Sequence, residues 1–185
     1  MPGPPFRCFA GVMTSDRSRV SGGEVLDGTW SLVSWETIGP GGEVTYPLGK
    51  DPLGQLMYDD ETGAVSAHLV ESGQHRFASD DWQQASAGEM VAAWPRYFGY
   101  FGTFTVDEAA ETVTHHIRAG WFPNLADTEQ VRHYALQGDR LTLDAETAWG
   151  AVRITWRRES GPTHGAGHRG GAAAAAGPVR YIHAP

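Results

Sequence analysis

The sequence predicts an all-β protein: a single antiparallel barrel of eight or nine strands with one short helix. Three observations carry this expectation. Short runs rich in β-branched and aromatic residues recur through the middle of the chain, turn-forming residues separate most of them, and only one segment has helical spacing. Of the 185 residues, 41% are hydrophobic and 19% charged, which suits one principal core.

The first run, 28–38, reads GTWSLVSWETI and is followed by Gly39-Pro40-Gly41-Gly42, residues that favour chain reversal. Residues 43–46 offer a brief ninth strand. Runs 53–59 and 64–71 are joined by Asp59-Asp60-Glu61-Thr62-Gly63, and runs 99–106 and 111–119 are separated by a turn that begins at Asp107-Glu108. Runs 129–136 and 140–146 meet at Gln137-Gly138-Asp139, and 150–158 completes the series. Such short connections make sequential strands antiparallel neighbours. The rhythm breaks once, where Ser86 stands three residues before Glu89 in the spacing of a capping box, ahead of Met90, Val91, Ala92, Ala93 and Trp94. Met90, Trp94, Phe98 and Phe101 recur at roughly helical spacing and predict one apolar stripe, with Pro95 ending or kinking the helix. This helix either covers one mouth of the barrel or packs outside it.

Both flanks lack this pattern. A Pro/Gly/Ser/Arg-rich leader, 1–23, and a Gly/Ala/Pro-rich tail, 159–185, are expected to be disordered, leaving 24–158 as the folded domain. The leader's longest apolar stretch, 8–13, is interrupted by Gly11 and makes no convincing signal peptide, while Met13 offers an alternative start. No window approaches the roughly 20 apolar residues of a membrane helix. The single Cys8 permits neither a disulfide framework nor a cysteine zinc pattern. A formal charge of −8 and a pI near 5.4 argue against nucleic acid and anionic membranes as partners. A soluble, cytoplasmic protein is expected. His164, His168 and His183 fall in the tail and read as parts of a solvated linker. With no phosphate-cradling glycine loop, dinucleotide fingerprint, Ser-His-Asp elbow or glycosidase-like carboxylate pair, no cofactor is expected.

Gly28-Thr29-Trp30 opens the first strand with a Gly-x-Trp pattern, and the last strand ends in Arg157 and Arg158. Together with YPLGKDPLGQLMY from Tyr46, YFGYFGTFTVDEAAETVTHH from Tyr97, FPN from Phe122 and QVR from Gln130, these residues resemble the bacterial and fungal lipocalin-like domain family over about 23–158. The resemblance implies a lipocalin-like barrel in which Trp30 and either Arg157 or Arg158 stack at a closed end. This chain lacks the disulfides and signal peptide of secreted lipocalins, so their transport roles do not carry over. The family implies a barrel rather than a reaction.

Strand alternation places Val113, His115 and Ile117 on one face and Thr114, His116 and Arg118 on the other. The apolar company of His115 points it inward, where it serves a ligand or a general-base role, or simply bonds a neighbouring strand. His115 and His116 face opposite ways and cannot chelate one metal, so no metal site is expected. Arg132, Tyr134 and Leu136 share a face that the resemblance turns inward. An enclosed Arg132 needs a partner, either a ligand carboxylate, enolate or phenolate or an internal Asp or Glu. Tyr100 completes the candidate catalytic set with His115 and Arg132. Trp94, Tyr97, Trp121, Phe122, Asn124 and Tyr134 are candidate ligand-binding residues, with core packing or turn formation as their alternative; His68 and Glu71 are weaker candidates. Two functions follow. One is a module that binds a small hydrophobic or aromatic metabolite. The other is a cofactor-free cyclase, isomerase or hydratase/dehydratase of secondary metabolism acting in the same cavity. A purely structural role leaves inward Arg and His unexplained.

Overall fold

A computed structural model describes residues 25–147 and 150–160. The expected leader, and the expected tail beyond its first two residues, lie outside the described residues. The strands are β1 (Gly28–Ile38), β2 (Val44–Thr45), β3 (Leu53–Asp59), β4 (Ala64–Val70), β5 (Tyr97–Asp107), β6 (Thr112–Gly120), β7 (Thr128–Gln137), β8 (Arg140–Thr147) and β9 (Gly150–Arg158). Every neighbouring pair is antiparallel, and β1 pairs with β9 as well as β3, so eight strands close into a barrel. Closure leaves no free edge in the ring. The two-residue β2 pairs with the end of β1, Thr37 opposite Thr45.

The side-chain period of two builds the core. Leu56 and Tyr58 on β3, Val65, Ala67 and Leu69 on β4, and Val113, His115 and Ile117 on β6 are all buried, alternating with more exposed neighbours. The registers also define two ends. The tight turns after β3, β5 and β7 lie at the end where β1 begins and β9 finishes. The long connections, 39–52, 71–96 and 121–127, lie at the other.

The first end is closed as the resemblance implied. Trp30 is fully buried and donates its indole N–H to the Leu26 carbonyl at 2.9 Å. The Arg158 guanidinium lies 4.1 Å from the centroid of the Trp30 ring. It also donates to the Val25 carbonyl at 2.7 Å and to that of Asp27. Arg157 points away, toward Asp139 at 3.9 Å. The Glu159 N–H donates to Thr29 at 2.8 Å, so pairing continues one residue past β9.

One α-helix, α1 (Ala87–Ala93), forms where the capping box placed it: Glu89 N–H donates to Ser86 Oγ at 3.3 Å and Ser86 N–H to the Glu89 carboxylate at 2.9 Å. The expected apolar stripe is overturned. No residue of α1 is buried, and Met90, Val91 and Trp94 are 53%, 73% and 49% exposed. Pro95 tightens the chain into a 3-10 turn over Trp94–Arg96, and β5 begins at once with Tyr97. Phe98 and Phe101 therefore lie on a strand and face opposite ways, Phe98 against the core and Phe101 52% exposed. The helix belongs to the long connection at the second end, and Trp94 ties it to the barrel through Trp121. Among the described residues no helix is long and apolar enough to cross a membrane.

Candidate functional site

Four inward side chains from four strands meet inside the barrel. His115, at the centre of β6, has no exposed surface. Its Nε2 lies 2.7 Å from the Tyr58 hydroxyl on β3, and its Nδ1 lies 2.7 Å from the Tyr100 hydroxyl on β5. Arg132 on β7, opposite Val113 of β6, is 8% exposed and interacts with the hydroxyl of Tyr100. Alternation delivers each group: Tyr58 follows buried Leu56, Tyr100 follows inward Phe98, and Arg132 lies between inward Gln130 and Tyr134.

The electrostatics make Arg132 the charged member of the group. Burial raises the Tyr58 phenol well above its ordinary pKa, and Tyr100 raises it further, against the opposing charge of Arg132. Burial likewise raises Tyr100, while Arg132 pulls it back by charge and hydrogen bonding. Burial, then Arg132, then His116 hold His115 well below its usual range. At neutral pH both phenols and the imidazole are therefore uncharged. The guanidinium keeps its proton. The alternative of an internal carboxylate partner is not found: among the described residues none lies within 4.0 Å of Arg132, and its Nε–H has no partner.

A count of hydrogens extends the point. A neutral imidazole has one N–H and one bare nitrogen. One tyrosine therefore donates to His115 and the other accepts from it, whichever tautomer forms. Two phenol hydrogens and one ring hydrogen supply only two contacts to the ring, so one phenolic O–H is left over. With Arg132 Nε–H, the centre has donors to spare and suits a ligand that brings an acceptor oxygen. Among the described residues, the other buried side-chain polar atoms without partners are Trp35 Nε1, Thr37 Oγ1 and Trp156 Nε1, all on the inward faces of β1 and β9.

Aromatic rings lead from this centre toward the end with the long connections. Tyr100 meets Phe98 at 5.8 Å between centroids, and Phe98 meets Trp35 at 5.4 Å and Trp121 at 5.5 Å. Trp121 stacks on Trp94 at 4.5 Å, donates to the Trp94 carbonyl at 3.2 Å and touches Phe122 at 5.8 Å. Inward residues of this upper half, among them Leu32, Trp35, Thr37 and Phe98, are only partly buried, whereas Trp30, Leu56, Leu141 and Trp156 lower down are almost wholly so.

The structure thus brings His115, Arg132 and Tyr100 together and lines the approach with Trp94, Trp121 and Phe122. Three other candidates lie elsewhere. Tyr97 faces outward, its hydroxyl 2.6 Å from His68 Nδ1, because it sits three residues from Tyr100 on a pleated strand. Asn124 is exposed in the Pro123–Leu125 turn. Tyr134 faces inward but toward the closed end, where its N–H donates to Glu111 at 2.9 Å; burial and then Glu108, Glu111 and Asp107 raise its pKa. Glu71 pairs with Arg96 at 3.3 Å on the surface. His116 faces outward to Thr105 and Glu129, as alternation requires. Sequence reading missed Tyr58 and Trp35. Their signal was present, since Leu56-x-Tyr58 continues an inward alternation, but nothing local distinguished Tyr58 from a core tyrosine.

A closed antiparallel barrel carrying a polar centre in an aromatic interior is the architecture of a small-molecule-enclosing barrel. The family model described as "Lipocalin-like domain" matches residues 27–159, and the chain belongs to that family. A curated relative from Aspergillus oryzae, the 4′-hydroxy-3′-methoxypropiophenone carrier protein ppsC, is 28% identical over 85 residues, covering 43% of this chain and 77% of that protein. Among solved structures, a redesigned β-barrel matches at 15% identity and a TM-score of 0.38, covering 75% of this chain and 95% of that one. Fatty-acid-binding protein 1 of Echinococcus granulosus matches at 11% identity and a TM-score of 0.37, covering 74% and 99%.

Proposed function

We propose that this barrel binds a small, largely apolar aromatic metabolite whose acceptor oxygen reaches the Tyr58–His115–Tyr100–Arg132 centre. The observation that carries this reading is the buried Arg132, which has an unpartnered Nε–H and no carboxylate within reach among the described residues. Leaving a buried charged donor unsatisfied is costly, and a ligand oxygen supplies the missing acceptor. The rings of Phe98, Trp35, Trp121 and Trp94 give an aromatic ligand surfaces to pack against. A relative named as the carrier of an aryl ketone agrees with this ligand class. Binding with release of the unmodified ligand is the first reading.

The test is titration of the full chain with a series of oxygenated phenyl ketones, followed by intrinsic tryptophan fluorescence. Saturable quenching that weakens at least about tenfold in Arg132→Met, with an unchanged far-ultraviolet spectrum, supports the reading; about 1.4 kcal/mol of interaction corresponds to that factor. Equal binding by both proteins removes Arg132 from the site. The Tyr58–His115–Tyr100 chain also favours a second reading, general acid/base catalysis on the bound compound. Mass analysis of each ligand before and after incubation distinguishes the two, since a carrier returns it unaltered.

A further inference from the structure

The charge inside the barrel bears on the state in which a ligand binds. Of the groups that meet at the centre, Tyr58 from β3, Tyr100 from β5 and His115 from β6 are all neutral, and Arg132 from β7 carries one positive charge. His116, the next residue on β6, adds to Arg132 in lowering the His115 pKa. No acid balances Arg132 among the described residues. The barrel therefore holds a cation with no carboxylate beside it among the described residues and with a buried Nε–H that lacks a partner, a state that pairing would relieve.

Building on the reading above, we infer that the ligand is a weak acid bound as its anion, with a single ionised oxygen, a phenolate or enolate, beside Arg132. The geometry argues for one oxygen. A carboxylate is best held by two parallel N–H groups of the guanidinium fork. Here Arg132 acts on the Tyr100 hydroxyl by charge and hydrogen bonding, and its Nε–H is a buried donor without a partner. That N–H and the one spare phenolic O–H of the Tyr58–His115–Tyr100 chain are two donors from different side chains. They can converge on one atom. A phenolate accepts both, whereas the corresponding ether keeps no charge for Arg132 to neutralise. The ring of such a ligand would extend toward Phe98 and Trp35, whose Nε1–H is a further unpartnered donor within two ring spacings of Tyr100, 5.8 Å and 5.4 Å. An acceptor at the far end of the ring, such as a ketone carbonyl, suits that position.

The experiment uses the full chain with three probes: 4-hydroxyacetophenone, its methyl ether 4-methoxyacetophenone, and 4-methoxybenzoate. Binding is measured at a pH where the free phenol is neutral, by tryptophan quenching and by the absorbance of the probe. The expected result is the red-shifted phenolate band on binding, one proton released per ligand in buffers of different ionisation enthalpy, and at least about tenfold weaker binding of the ether and the benzoate. Arg132→Met should abolish the band shift and keep a far-ultraviolet spectrum like the wild type. Phenol and ether binding equally well without a band shift would overturn the anion inference and leave aromatic ligand binding standing. Benzoate binding as tightly as the phenol would overturn the single-oxygen geometry. Failure of all three probes to bind would remove the aromatic-ligand reading itself, and the inference with it.

Discussion

At the level of single residues, the chain treats its buried polar groups in two opposite ways. Trp30 has every need met: its N–H finds Leu26, its face finds Arg158, and its edge is enclosed. Trp30→Ala should therefore cost about 3 to 5 kcal/mol, the range for emptying a fully packed aromatic site. Urea unfolding measures it, and an unchanged midpoint and slope would contradict the closed-end role. His115 is satisfied only while neutral. Its folded pKa is depressed and its unfolded value is about 6.5, so below that pH the unfolded chain takes up a proton that the folded one refuses. Stability should fall as pH drops below about 6.5, by up to about 1.4 kcal/mol per pH unit from this group. Asp59 and Glu89 act lower: their folded pKa values are depressed from 3.8 and 4.5, so their contribution is lost only below those values. Denaturant titrations from pH 7 to 5 should show the slope in the natural chain and its absence in His115→Gln. A slope that survives the substitution would assign it to another group.

Elements differ in how much of the molecule depends on them. The capping box of Ser86 and Glu89 holds α1 together, yet α1 buries no residue. Ser86→Ala should weaken the helix by about 1 kcal/mol, seen as faster amide exchange over 86–93, with the global melting temperature nearly unchanged. A fall of many degrees would mean that the helix supports the barrel. The β5–β6 pair is the opposite case. A register shift between Phe101 and Gly102 brings Gly102 so close to β6 that an added Cβ would lie 2.0 Å from the His116 carbonyl oxygen. Backbone cannot yield as a flexible side chain can, so Gly102→Ala should cost about 3 kcal/mol, the upper end for overpacking. Chemical denaturation would show it. Because His115 and Tyr100 lie on these two strands, the same change should also disturb the polar centre.

For the whole molecule, the barrel is a closed ring with the polar centre inside and the long connections at one end. The described hydrogen bonds extend past the last strand, since Glu159 bonds to Thr29 and Ser31 and must be kept. We propose that a fragment spanning 24–160 folds alone, with a melting temperature within a few degrees of the full chain. Its failure to fold would show that the flanks contribute to the core.

How much of this the sequence determined follows from the range of the interactions involved. Strand positions, the capped helix and the inward direction of His115 were legible because pleating, turn chemistry and capping act over a few residues, whereas the inward face of Arg132 and the closed end at Trp30 came from the family resemblance. That resemblance also implied that the interior would hold a cation. Tertiary structure alone decided what stands beside that cation. Tyr58 lies 57 residues from His115, and only closure of the ring brings its hydroxyl to Nε2. The absence of a carboxylate near Arg132, among the described residues, is likewise a fact about four strands meeting and not about any one of them. The apolar stripe of Met90, Trp94, Phe98 and Phe101 failed for the converse reason: Pro95 hands the chain from helix to strand midway, and periodicity read across such a boundary has no common face. Local chemistry set which side chains point inward, and long-range packing set what they meet there.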